Sequence, residues 1–347
     1  MRRQAEQLSV AAQGLKFTSF AVGGGTPLIL DEGQLEELFC LAELFGVHPS
    51  RVFTSVETSP EYTQKSVLRQ LRARGVERLS MGVQSFNETE LKKLKRRPGL
   101  GTVVGALENI VEAGFPQFNL DLIYGIEGQT VESFMRSLNT ALTYRPNELF
   151  IYPLYVRPGT RIDVRSTDDI GYAIYKSARE LLVGQGFVQT SMRRFVRRET
   201  TETEFSCGDE VMLSCGAGGR SYLGNLHYAT PYAVRQQAIA DEIGHYIRTT
   251  DFMTAANGFL LSTEEMQIRF IIKNLMYHRG VDLAEYEKRF GEKPDRNLFR
   301  EFTDRGWIEE TGRIVRLTEE GMAYSDYIGQ AFISPVVRKL MSEYVYP

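Results

Sequence analysis

Short apolar, β-branched runs recur along the first half of the chain. Each is followed by turn residues and then by a stretch with helical periodicity. The runs are Phe17–Gly23 (FTSFAVG), Arg51–Glu57 (RVFTSVE), Arg78–Gln84 (RLSMGVQ), Phe118–Tyr124 (FNLDLIY) and Leu149–Val156 (LFIYPLYV). Each reads as a buried strand. Between the first two, Leu35, Leu38, Phe39, Ala42 and Phe45 recur every three or four residues, which predicts one apolar helix face. Asp31 precedes Gln34 by three positions, and Asn87 precedes Glu90 by three, so each pair predicts a capping box. Thr130 opens a further helix, and Gly75, Gly114 and Gly186 fall where helices need a left-handed cap. Ile170–Gly186 reads as another helix and Phe187–Phe195 as a sixth strand. Strand–helix alternation at intervals of about 25–35 residues predicts right-handed βαβ crossovers and a parallel sheet. Ligands of such sheets sit beyond the carboxyl ends of the strands.

The pattern changes near Ser262. Three helical stretches follow, and then WIEETGRIVRLTEEG predicts a hairpin leading into a helix, a winged-helix-like arrangement. The expected domains are therefore 1–200, a partial barrel; 201–258, a connecting segment; and 259–347, the C-terminal module. The chain of 347 residues is long enough for about two domains. A net charge of −3 gives no global positive field for nucleic acid, and the C-terminal helices lack a basic stripe. There is no apolar run of about 18 residues and no secretory leader pattern, so the expectation is a cytoplasmic protein without a membrane partner. Cys40, Cys207 and Cys215 are too few and too scattered for a disulfide framework, and with the four dispersed histidines they predict no metal site.

Candidate chemistry lies just after the strands. Gly23, Gly24, Gly25, Thr26 and Pro27 let the backbone approach a ligand closely. They lack the lysine of a P-loop and the later glycine of a dinucleotide fingerprint. Glu57 follows the second strand, Gln84 ends the third, and Asp121 interrupts an apolar fourth strand, where a buried acid needs a partner. Gly125 follows that strand. Arg193, Arg194, Arg197 and Arg198 form a cluster whose forks suit carboxylates. Gly216–Ser221 (GAGGRS) has glycines spaced like a dinucleotide fingerprint, but no acid-tipped strand follows it.

GGGTP, Glu57, GVERLSMGVQSF with Arg96 twelve residues beyond Gln84, and NLDLIYGIEGQT together resemble, in order and spacing, the oxygen-independent coproporphyrinogen III oxidase-like family of radical S-adenosylmethionine (SAM) enzymes. YPLYVRPGT, the Gly216–Ser221 stretch and GWIEETGRIVRLTEEG extend the resemblance over most of the chain. SVETSP, LYVRPGT, SMRRF and NLHYATPYAV resemble one bacterial subgroup. The resemblance implies a partial (β/α)6 TIM-like barrel that binds SAM and a [4Fe–4S] cluster, uses an electron donor, and abstracts hydrogen from a small-molecule substrate. It assigns Gly24, Gly25 and Thr26 to the methionyl end of SAM. Glu57, Gln84, Arg96 and Asp121 fall to its amino-acid and ribose portions, and Gly125 to the adenine side. Arg193 and Arg194 become candidates for the carboxylates of a tetrapyrrole. No catalytic residue is identified.

One departure stands out. The family carries its cluster on a CxxxCxxC loop ahead of GGGTP, and this sequence has no such triplet. The expectation is a barrel that lacks its first βα unit because the chain begins inside a longer protein, and a chain inactive in radical chemistry as it stands. The alternative is a non-catalytic relative that binds SAM or a tetrapyrrole.

Overall fold

The computed structural model describes residues 1–96, 99–156, 168–197, 211–230, 233, 235–255 and 257–343. The chain divides into two compact units. The first is Met1–Val188 with Phe195–Cys207 and His245–Thr254; the second is Gln189–Arg194, Gly208–Gly244 and Ala255–Pro347.

The first unit opens with helix α1 (Arg2–Ala11) and then alternates strand and helix: β1 (Ser19–Val22), α2 (Glu32–Glu43), β2 (Phe53–Thr58), α3 (Lys65–Ala73), β3 (Arg78–Gln84), α4 (Glu88–Lys93), α5 (Leu100–Ala113), β4 (Gln117–Tyr124), α6 (Val131–Thr143), β5 (Glu148–Pro153), α7 (Asp168–Gly184). Two short strands follow, β6 (Phe187–Gln189) and β7 (Arg194–Arg197), and the sheet order is β1-β2-β3-β4-β5-β7-β6. Strands β1 to β5 pair in parallel in sequence order. Their carboxyl ends therefore share one edge of the sheet.

The two faces of this sheet differ in chemistry. Val56, Leu79, Met81, Leu120, Leu122, Leu149 and Ile151 are all fully buried on one face. The amphipathic helices α3, α5 and α6 bury Leu68, Leu71, Leu107, Phe134 and Leu138. Each such side chain contributes about 1.5–3 kcal/mol by leaving water. The other face carries Ser55, Glu57, Arg78, Ser80, Asn119, Asp121 and Glu148, aligned across the strands by the register pairs Ser55–Arg78, Glu57–Ser80, Ser80–Asn119 and Asn119–Glu148. Arg78 fixes the lower part of this face, donating from Nε to Glu148 at 3.0 Å and from Nη1 to Ser55 Oγ at 2.9 Å.

Two local expectations change in the structure. Phe187–Phe195 is not one strand: Ser191 Oγ accepts the Arg194 N–H at 3.2 Å, and the chain turns there, which splits it into β6 and β7. The Asn87 cap forms, with its side chain accepting from the Thr89 and Glu90 amides, but Glu90 does not close the box. Its carboxylate is taken by other donors. The capping boxes that do close are at Asp31/Gln34 and Thr130/Ser133.

The second unit contains a four-stranded antiparallel sheet of Val211–Met212, Arg220–Leu223, Leu226–Ala229 and Gly258–Leu260. The GAGGRS glycines lead into Arg220–Leu223, the strand of a hairpin, and not into a helix, so they make no dinucleotide-binding turn. Helices Thr263–Leu275, Leu283–Phe290 and Asn297–Asp304 precede the hairpin Ile308–Thr311/Ile314–Leu317, which pairs with Val281–Asp282 in a three-stranded sheet. Among the described residues, no helix is long and apolar enough to cross a membrane.

Candidate functional site

The carboxyl-end edge of the parallel sheet gathers most of the residues singled out from sequence. The chain leaves β1 through Gly23, and Gly24 and Gly25 follow with φ of +82° and +68°, a left-handed pair that favours glycine. Glu57, one residue before the end of β2, accepts the Gly24 N–H at 3.2 Å through Oε2. Thr26 caps a 3-10 turn over Pro27–Ile29.

The third strand ends in strain. Gln84 has φ of +72° where its pairing with β4 shifts register, an uncommon backbone state for a side chain of this size. Its carboxamide folds back over Gly82: a Cβ added to Gly82 would meet Gln84 Nε2 at 2.4 Å. Gly82 is the direct register partner of Asp121, so the carboxamide lies beside that carboxylate on the polar face. Strand spacing there is roughly 4.8 Å.

Asp121 is partly buried, and its hydrogen-bond partner is neutral. Asn119 Nδ2 donates to Asp121 Oδ1 at 2.7 Å and to Ser80 Oγ at 2.6 Å. Loss of hydration pushes the Asp121 carboxyl up to about 6 from its ordinary 3.8. The Asn119 bond and the Arg78 charge pull it back, and the charges of Glu57 and Glu148 push it further up. A carboxylate made costly to ionise at the mouth of a parallel sheet is a candidate for a functional position.

Arg96 is exposed and lines a cavity of about 190 Å³ with Ser59, Glu61, Gly82 and Lys95. It thus shares a wall with the end of β3. Gly125 follows β4 with φ of +83°, and its N–H is held by Gln129 Oε1 at 2.8 Å. Arg193 and Arg194 belong to the second unit, where Arg193 pairs with Asp326 and Arg194 is buried. Arg198, Cys207 and residues 157–160 lie outside the described residues.

At this edge Gly23 and Gly82 take a specific role, and Asn119 is the residue not evident from motif order alone. Gly23 and Gly82 leave the space that the Glu57 carboxylate and the Gln84 carboxamide fill. Asn119 orients Asp121, and its signal is the strand period: polar positions 119 and 121 alternate with apolar 118, 120 and 122 in FNLDL.

Comparison with known proteins now fits this geometry. Residues 1–141 match the radical SAM superfamily profile and residues 261–324 the HemN C-terminal domain profile. The chain is 27% identical over 334 residues to the heme chaperone HemW of Bacillus subtilis, covering 90% of this chain and 84% of that protein. It is 35% identical over 292 residues to the oxygen-independent coproporphyrinogen III oxidase of Salmonella typhimurium, covering 78% of this chain and 62% of that protein. The chain belongs to the coproporphyrinogen III oxidase-like family of radical SAM proteins. The family's fold extends over nearly the whole molecule: the structure of coproporphyrinogen III oxidase (HemN) of Escherichia coli superposes with a TM-score of 0.81 at 22% identity, covering 95% of this chain and 81% of that one. That fold is the TIM-like barrel type, and the edge that carries Gly24, Glu57, Gln84 and Asp121 is the end where parallel strands of such folds place their ligands.

The family uses SAM and a [4Fe–4S] cluster, and this chain's residues fit the two groups differently. Polar groups of the kind SAM needs are present: exposed glycines, a carboxylate that accepts the N–H of one of them, and a carboxamide on the strand face of a second carboxylate. The cluster's thiolates are not. Cys40 and Cys215 are exposed and free, one on α2 and the other in the second unit, and the described residues contain no group of three or more metal-binding side chains.

Proposed function

We propose that this chain binds SAM across the carboxyl-end edge of its parallel sheet, with Glu57 and Asp121 as the main anchors. The observation that carries the reading is the meeting of Gly24, Glu57, Gln84 and Asp121 at one edge, two of them in space left by glycines. In this reading the Gly24, Gly25 and Thr26 backbone receives the methionyl end. Glu57 accepts from the ammonium, and Arg96 pairs with the carboxylate. Gln84 and Asp121 take the ribose hydroxyls, and Gly125 lines the adenine. SAM supplies the hydrogen-abstracting group of the family when bound; the residues of this chain bind and orient it. The cysteines among the described residues do not fit a cluster.

The substrate class follows from the relatives. Coproporphyrinogen III and heme are both tetrapyrroles bearing carboxylates, and they are what the related oxidases and HemW proteins are named for. We assign the chain a carboxylate-bearing tetrapyrrole as its second ligand, with Arg193 and Arg194 as candidate contacts, and no hydrogen abstraction by these residues alone. A heme-binding, non-catalytic role is the second reading. It is favoured by the HemW match, which spans more of both chains than the oxidase match.

Equilibrium dialysis with radiolabelled SAM tests the first assignment. Wild type is expected to bind, and Asp121→Ala to weaken binding by about 1–3 kcal/mol, the cost of removing one partner of a buried hydrogen bond. Equal binding by both proteins overturns the site. Titration with heme, read in its Soret band, separates the second reading from the first.

A further inference from the structure

Glu90 is only 4% exposed, and it forms no ion pair among the described residues. Its two oxygens act solely as acceptors. Ser85 Oγ donates to Oε2 at 2.6 Å, Gln129 Nε2 to the same oxygen at 2.9 Å, and Ser133 Oγ to Oε1 at 2.7 Å. Burying a carboxylate without a cation is costly unless donors replace its water, and here three do.

The donors come from different elements. Ser85 follows Gln84, the residue held at φ of +72°, and its Oγ also accepts the Asn87 N–H at 2.9 Å. Ser137, 3.4 Å from Ser85 Oγ, accepts the Phe86 N–H at 3.1 Å. Gln129 belongs to the loop after β4. Its Oε1 accepts the Gly125 N–H at 2.8 Å and the Ile126 N–H at 3.4 Å. Glu90 therefore joins the loop that ends β3 to the loop that ends β4. The Asn87 capping box is left open because Glu90 serves this junction instead.

We propose that Glu90 is a positioning residue that locks the Gln84 and Gly125 loops into one unit and so preorganises the SAM pocket. This rests on the reading of that edge as a SAM site. The helix α4 needs no carboxylate at position 90 for its own cap, since Asn87 supplies it. Glu90 touches neither Gln84 nor Gly125 directly; it acts through Ser85 and Gln129. A carboxylate is suited to the task because it takes donors from both loops at once without offering a competing hydrogen. Neutral partners keep the junction free of any surface charge that salt would screen.

The test uses the full chain with Glu90→Ala, Glu90→Gln and the transposed pair Glu90→Gln/Gln129→Glu. The transposed pair keeps one carboxylate and one carboxamide face to face. Two readouts are taken: SAM binding by equilibrium dialysis, and amide hydrogen exchange at Phe86, Asn87, Gly125 and Ile126. Glu90→Ala is expected to speed exchange at both loops together and to weaken SAM binding about tenfold, the scale of one lost charge-assisted bond. Glu90→Gln should fall between it and wild type. The transposed pair should recover protection and affinity to within about threefold of wild type, a rescue that simple loss of packing does not give. Faster exchange at one loop only, or no rescue in a transposed protein that melts like wild type, overturns the proposal. Should Glu90→Ala fail to fold, the Gln variant and the transposed pair decide. Should wild type not bind SAM, the SAM assignment fails, and the exchange data alone decide whether Glu90 couples the loops.

Discussion

The carboxylate of Glu57 occupies the space where a side chain on Gly23 would stand: an added Cβ would lie 2.9 Å from Glu57 Cδ and 3.0 Å from each oxygen. The same carboxylate accepts the Gly24 N–H. The first glycine of the GGG run thus makes room for an acid from the neighbouring strand, and the second binds it. Gly23→Ala forces the carboxylate away while leaving the backbone an ordinary conformation. The expected result is a melting temperature close to wild type and SAM binding weakened by about 1–2 kcal/mol. Calorimetric melting and dialysis on the same sample check both halves. Unchanged affinity would show that Glu57 is not held for the ligand.

A second relationship is structural. Arg78 and Glu148 form a buried ion pair at 2.9 Å, with side chains 10% and 1% exposed. Glu148→Ala strands a buried guanidinium and should cost about 3–5 kcal/mol in urea unfolding. Replacing both partners with apolar residues of similar volume should recover most of that loss. If the double variant is no more stable than the single, the pair is not an isolated unit.

Much of this was legible in the sequence, and the limits have physical causes. Arg78–Gln84 is a strand with the bounds read from its sequence, because Leu79, Met81 and Val83 alternate with Arg78, Ser80 and Gly82 at the period of a strand and are buried. The Asp31/Gln34 box closes as its spacing predicts. Glu90 shows where spacing stops being informative. The same three-residue interval was present, but Ser85, Gln129 and Ser133 compete for the carboxylate, and two of the three lie about 40 residues away. The split of Phe187–Phe195 turned on one serine side chain capturing a backbone amide. The four-stranded antiparallel sheet that includes Val211–Met212 was missed because its strands are two to four residues long, too short for any periodicity to register. Asn119 carries no motif of its own; its role follows only from sharing a strand face with Asp121, to which it donates.

Asp121 should make ligand binding depend on pH. Its carboxyl is raised to about 6 from 3.8, chiefly by loss of hydration. A raised acid favours the folded state in its protonated form. Its contribution to stability is therefore fully present below about 3.8 and is lost as pH rises through about 6. If the ionised carboxylate is what accepts the ribose hydroxyls, SAM binding should tighten as pH rises through about 6, while the stability contribution is being lost. Asp121→Asn should remove both dependences. Dialysis and melting across that range check them; a pH profile identical in wild type and Asp121→Asn would remove Asp121 from the account.

The last prediction concerns the C-terminal module, where a single glycine sets a close backbone approach. A Cβ on Gly321 would fall 1.8 Å from the Trp307 carbonyl oxygen and 2.7 Å from its carbon. That oxygen cannot easily move, because it accepts the Thr318 N–H at 2.9 Å, and the Trp307 ring is stacked on Tyr324 at 4.5 Å. Gly321→Ala must therefore shift the helix Glu319–Ala323 away from the start of the hairpin. Overpacking of this kind costs about 1–3 kcal/mol. Gly329 is the control: it also lies in a helix, Ser325–Ala331, but an added Cβ there meets only Met276 Sδ at 3.6 Å, an ordinary contact. Gly329→Ala should be neutral or stabilising by up to about 1 kcal/mol, the helix propensity difference. The measurement is local by construction, since Trp307 is the only tryptophan in the chain. Urea unfolding followed by its fluorescence should show a lower midpoint for Gly321→Ala and an equal or higher one for Gly329→Ala. The same midpoint in both variants would mean that the module relaxes around the clash, and that Gly321 is there for some reason other than its contact with Trp307.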